Sequence, residues 1–292
     1  MTSKSRNLLN CLMVLFVLCL VVACACPNLR EDGDVSDNNG TKTEKDKDDN
    51  KDSKSEKPDE GDFIVEHSTV RTPRFEAIDR QIKEDKVLEK AADKLNRTLS
   101  LPHDIPLRTK DCGRINAYYD LKEKSITFCY ELMEHFYKLY RSAGDSESEA
   151  NSRMNKAINF VFLHELGHAL IDSYQLPITA NEEDAADRCS SYICIEELGE
   201  EGVQSILAAA DAFQLESKMS KSPDPGRMAD EHLLKEQRFF NSLCMVYGSD
   251  PEKYSTIVTK GYLPKARAVR CPSEYEKTSK SWEKLLEPWR KD

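Results

Sequence analysis

The 292-residue chain is poor in aromatic residues, at 8%, and its 39% of hydrophobic residues are too few for a polytopic membrane protein. It also lacks a basic excess: 42 Lys and Arg face 52 Asp and Glu, for a net charge of -10. Neutralising phosphates takes clustered Lys and Arg, so a dedicated nucleic-acid binder is excluded and no nucleic-acid partner is expected. There is no CxxC pair, which argues against a zinc site built from cysteines. No internal repeat is found.

The charge and the apolar residues are unevenly spread. Lys4 and Arg6 precede an uncharged stretch from Leu8 to Cys26, which Pro27 ends, and this reads as an export signal. Within it Val21-Val22-Ala23-Cys24 resembles the lipobox of bacterial lipoproteins. The resemblance implies removal of residues 1–23 and lipidation of Cys24, with Cys26 a poorer candidate and an uncleaved anchor or plain signal peptide the alternatives. Arg30 to Asp62 holds seven basic and thirteen acidic side chains, with Val35 its only aliphatic residue. Such a segment cannot bury enough apolar surface to offset the entropy of ordering, so residues 24–62 read as a charged tether. Residues 63–292 then form one domain, exported and held to the cell envelope by a lipid anchor.

Cysteine usage agrees with export. Cys112, Cys129, Cys189, Cys194, Cys244 and Cys271 follow the signal, an even number that an oxidising compartment can pair. Six cysteines allow fifteen pairings, which sequence does not settle. Cys189 and Cys194, five apart on one expected helix, are badly placed to bridge. The expected bridges are Cys112 with Cys129 across a hairpin, and Cys244 with Cys271.

Apolar residues recur at helical intervals from Phe75 to Leu99 and predict a first helix, broken by Pro102 and Pro106. Arg114–Tyr119 and Ser125–Tyr130, around a polar turn, read as a hairpin. Helical patterns follow over Glu131–Ser142, from Asp145 or Ser146 to about Ser173, and from an Asn181 cap over Glu182 to about Leu198. The remainder is mainly helical, with a polar break over Ser217–Arg227. This order is an α+β arrangement.

The chemistry concentrates in His164-Glu165-Leu166-Gly167-His168 on the long helix. Residues four apart on a helix face the same way, so both imidazoles can reach one metal ion, and Glu165 stands where a general base is needed. A hydrolytic zinc site requires a third protein ligand and an open position. Glu183, within Glu183-Asp184-Ala185-Ala186-Asp187 on the next helix, is the candidate, with Glu182 or Asp187 as substitutes. Asp187, one turn on, can fix the tautomer of a ligating histidine.

These motifs resemble the gluzincin branch of zinc metallopeptidases. Asp111-Cys112-Gly113 to Tyr119, Cys129 to Leu132, Asp230-Glu231-His232 to Phe239, Tyr247 to Pro251 and Cys271 to Trp282 are similar, more narrowly, to a bacterial family of uncharacterised metallopeptidases. The resemblance spans roughly residues 65–290. It implies a zincin-like fold with a small antiparallel sheet beside the metal-bearing helix. It also implies an edge strand, expected at Ser125–Tyr130, that holds an extended peptide.

The expected activity is zinc-dependent peptide hydrolysis, with His164, His168 and Glu183 on Zn2+ and Glu165 as base. The oxyanion needs a further donor, for which His232 is the first candidate and Tyr247 or Arg238 the others. Two other classes fit the same residues: a peptidase-like protein that binds peptide without turnover, and a zinc hydrolase of a non-peptide amide.

Overall fold

A computed structural model of the chain describes residues 57–179, 181–219 and 225–291. The expected signal, Cys24 and nearly all of the charged tether lie outside the described residues. The Lys57 ammonium lies over the Trp289 ring, and Asp59 pairs with Lys291.

In chain order the elements are β1 (Phe63–His67), α1 (Glu76–Glu84), α2 (Val87–Thr98), β2 (Ile105–Lys110), β3 (Ala117–Asp120), β4 (Ser125–Cys129), α3 (Tyr130–Ser142), α4 (Glu147–Tyr174) and α5 (Glu182–Tyr192). They continue as α6 (Gly199–Met219), α7 (Pro225–Met228), α8 (Lys235–Ser249), α9 (Thr256–Thr259), α10 (Lys265–Ala268) and α11 (Cys271–Leu286). The fold is α+β.

The sheet departs from expectation in two ways. Its four strands run β1-β2-β4-β3, and only β3–β4 is antiparallel; β1–β2 and β2–β4 are parallel, so the sheet is mixed. The edge strand next to the metal-bearing helix is β3, not Ser125–Tyr130. All five residues of β4, Ser-Ile-Thr-Phe-Cys, are buried between β2 and β3, as befits a central strand, and Tyr130 already opens α3. The single helix expected over Phe75–Leu99 is two, because Lys86 adopts a left-handed conformation (φ 52°) between α1 and α2.

Helix α4 carries the centre. Ser146 caps it reciprocally with Glu149: the Glu149 amide donates to the Ser146 hydroxyl and Glu149 accepts from the Ser146 amide. Its second half, from Phe160 through Leu163, Leu166, Ala169 and Leu170, is buried against α3, α5, α6 and the sheet. Burial on so many sides leaves no solvent face for His164 and Glu165. At Gly167 the backbone of α5 comes close enough that a Cβ would lie 3.1 Å from the Ala186 Cα. That approach sets how far the acids of α5 stand from the two histidines.

Two disulfides close the expected pairs, Cys112–Cys129 and Cys244–Cys271. The first ties the loop before β3 to the end of β4, and the second joins α8 to α11. Cys189 and Cys194 are free and buried, and burial pushes both thiols up, so they pack as small core residues. Among the described residues no helix is long and apolar enough to cross a membrane.

Candidate metal centre

The capped start of α5 aims its acids back at α4. The Asn181 side chain accepts from the Asp184 amide, as the sequence predicts, and Glu183 lies on the first turn facing the histidines. The Glu183 Oε2 atom stands 3.1 Å from His164 Nε2, 3.5 Å from His168 Nε2 and 3.0 Å from His232 Nε2. The two α4 imidazoles present their Nε2 atoms 3.3 Å apart. The structure therefore brings together His164, His168, Glu183 and His232, although the last is 49 residues further along the chain than Glu183.

The opposite ring nitrogens are spoken for. His164 Nδ1 lies 2.8 Å from Asp187 Oδ1, and His168 Nδ1 lies 2.8 Å from Glu182 Oε1. Each carboxylate accepts an N–H there, which leaves the Nε2 lone pairs directed at Glu183. Asp187 is itself gripped by Arg238, whose guanidinium donates to both its oxygens at 2.7 and 2.6 Å. Arg238, an alternative candidate for the oxyanion donor, thus holds Asp187 in place through its Nε and one Nη. Tyr247, the other alternative, packs against the core from α8.

A divalent cation fits this donor set. Glu183 Oε2 is buried and, among the described residues, no group meets hydrogen-bond geometry with it, although three ring nitrogens lie within 3.5 Å. Nitrogens and a carboxylate oxygen crowded around one point, each with its lone pair inward, suit a metal better than one another. The titration directions say the same of the metal-free protein. Burial opposes charge on His164, but Asp187 and Glu183 outweigh it and raise its pKa to about 9. Burial likewise opposes charge on Glu183, yet the histidines hold its carboxyl well below the usual range.

Glu165 faces the other way, toward the sheet. Its Oε2 accepts the backbone N–H of Tyr119 at 2.9 Å, so the edge strand holds the carboxylate in place. Burial raises its pKa, with His164 and His168 pulling in the opposite direction. Tyr119 also donates its hydroxyl to Asp172 at 2.7 Å, and Lys124 reaches the same oxygen, which clamps β3 to α4. The backbone contact to Glu165 has no side-chain signature by which it could have been found.

Beside the centre lies a cleft of about 370 Å³ between β3, α3, α6 and the 229–234 loop. Its walls include Ile115, Leu132, Phe136, Val161 and Phe213, and His164, Glu165 and His232 line its metal end.

No curated protein and no solved structure matches the sequence. Over residues 67–286, nearly all of the folded part, the sequence matches the family described as "Putative metallopeptidase" (DUF4344), and the chain belongs to that family.

Proposed function

We propose that this metallopeptidase-family protein is a zinc peptidase of the gluzincin type that cleaves peptide bonds. The observation that carries the reading is the convergence of His164 Nε2, His168 Nε2 and Glu183 Oε2 at one buried point, with Glu165 one residue from His164 and held by Tyr119. A zinc ion held by His164, His168 and Glu183 would supply Lewis acidity toward a water molecule and the scissile carbonyl. The protein's own residues do the rest. Asp187 and Glu182 keep the two imidazoles in the tautomer that offers Nε2. Glu165, buried and disposed to hold a proton, takes one from the attacking water and returns it to the leaving amine. His232 donates to the oxyanion.

Substrate binds as an added strand. In β3, Tyr118 and Asp120 alternate with Ala117 and Tyr119, and the edge away from β4 is where backbone pairing with an extended peptide takes place. The cleft, lined by Leu132, Phe136, Val161 and Phe213 beside Glu216, Lys235 and Arg238, offers the side chains of that peptide both apolar and charged contacts. An amide without flanking peptide would forgo both interactions, which is why peptide is preferred over a non-peptide amide. Cys24, lipidated after loss of residues 1–23, tethers the enzyme to the cell envelope through a charged spacer.

Incubating the full chain with a peptide library, with and without a chelator, tests this reading by mass spectrometry of the products. Cleavage, abolished by the chelator and restored by Zn2+, is expected. Metal uptake without cleavage of any peptide would favour the binding protein instead.

A further inference from the structure

We infer that His232 is a fourth protein ligand of the metal in the resting enzyme, and that it must leave before substrate is cleaved. The inference rests on the peptidase reading and adds a gate to it. His232 Nε2 is the nearest of the three imidazole nitrogens to Glu183 Oε2, at 3.0 Å. His164, Glu183 and His232 each offer a ligand atom within 4.8 Å of the others. A residue acting only on the oxyanion has no reason to sit so deep among the ligands when no substrate is present. The His232 ring also lies nearly parallel to that of His164, with centroids 6.2 Å apart.

The surroundings aim the ring inward and leave it able to withdraw. Asp230 Oδ1 lies 3.2 Å from His232 Nδ1 and accepts the His232 amide at 2.9 Å, so the loop residue fixes the tautomer as Asp187 and Glu182 do for the α4 pair. Asn181, the cap of α5, donates its side-chain N–H to the Glu231 carbonyl at 2.8 Å and joins the loop to the helix that carries Glu183. Burial sets His232 apart from the other two. Its side chain is 48% exposed, against 4% for His164 and 13% for His168. The two α4 imidazoles cannot leave without opening the core, whereas His232 swings out by side-chain rotation alone.

The residues on either side give the movement a cause. His232, Leu233 and Leu234 form one wall of the cleft that receives substrate. A peptide entering along β3 presses on that wall, and the ring leaves its place among the ligands. The exchange is one lone pair for another: the imidazole nitrogen gives up its coordinate bond and a water oxygen takes the position, with no change of charge. Once displaced, His232 is beside the reacting carbonyl. Four protein ligands at rest leave no open position for water, so the empty enzyme is guarded against idle hydrolysis.

X-ray absorption on the Zn2+-loaded full chain tests this by counting imidazoles. Three are expected in the substrate-free protein, two in His232→Ala, and two in the wild type after addition of a peptide hydroxamate. Competition with a chelator should show His232→Ala holding Zn2+ at least ~10-fold more weakly, since even outer partners of a ligand are worth that much. His232 is exposed, so the variant should fold, and an unchanged circular dichroism spectrum checks it. Two imidazoles in the resting wild type, with affinity unchanged in His232→Ala, would overturn the inference and leave the peptidase reading standing. Absence of Zn2+ from both proteins would overturn the two together.

Discussion

The backbone N–H of Tyr119 donates to the Oε2 of Glu165 at 2.9 Å, linking the edge strand that would seat a substrate to the residue that would move its proton. Substrate alignment and base orientation are thereby set by one rigid element. The side-chain clamp of Tyr119 and Lys124 on Asp172, two turns along α4, keeps that element in register with the helix.

Glu165→Gln should retain the Tyr119 contact and the metal while losing the base. Cleavage is expected to fall by about 10²–10⁴-fold, with metal content unchanged. Assaying both on one preparation separates a lost base from a lost metal. Full activity in the variant would assign the proton transfer to another group.

Gly167 controls the spacing of α4 and α5. Gly167→Val must push α5 outward, since a Cβ alone would lie 3.1 Å from Ala186 and 3.2 Å from the Cys189 Cβ. We expect a loss of about 1–3 kcal/mol in stability and a weaker metal affinity, because Glu183 moves with α5. Gly167→Ala should fall between. Chelator competition alongside urea denaturation measures both, and an unchanged affinity in Gly167→Val would mean that helix spacing does not set the site.

Arg238→Met removes one half of a buried ion pair. Asp187 then keeps its charge without the guanidinium that offsets it, at a cost of about 3–5 kcal/mol by urea denaturation. The His164 ring loses its anchored partner in the same step. A variant as stable as the wild type would show that solvent reaches Asp187.

The metal-free and metal-loaded proteins should differ in their dependence on pH. His164, raised to about 9 in the metal-free fold against an ordinary 6.5, carries a proton at pH 7. Its contribution to the stability of the metal-free protein is complete below pH 6.5 and is lost as pH rises through about 9. Metal must expel that proton, so binding at pH 7 should release about one proton per ion and tighten as pH rises. Calorimetry in buffers of differing ionisation enthalpy reads the release directly. Binding without proton release would show His164 neutral beforehand.

Much of the centre was legible in the sequence because its geometry is local. His164 and His168 are one helical turn apart, and the reciprocal cap at Ser146 and Asn181's cap of α5 are written in neighbouring residues. Both disulfides joined the expected cysteines. The sheet was less legible, because β1 and β2 pair in parallel with strands remote in sequence, and Pro106 inside β2 reads as a break. Strand order is a tertiary property, so β4 looked like an edge when it is central. His232 carried no periodic signal, and its closeness to Glu183 is produced by the loop that Asn181 and Asp230 hold in place. Arg238 was read as a possible catalytic donor, since nothing in its own neighbourhood announces Asp187 as its partner.

The account depends most on three side chains from α4 and α5 sharing one ion. Metal analysis of the purified full chain beside Glu183→Ala tests this most directly. About one zinc per chain in the wild type and almost none in the variant is the predicted result. A wild type free of metal, or a variant that holds as much zinc as the wild type, would contradict it.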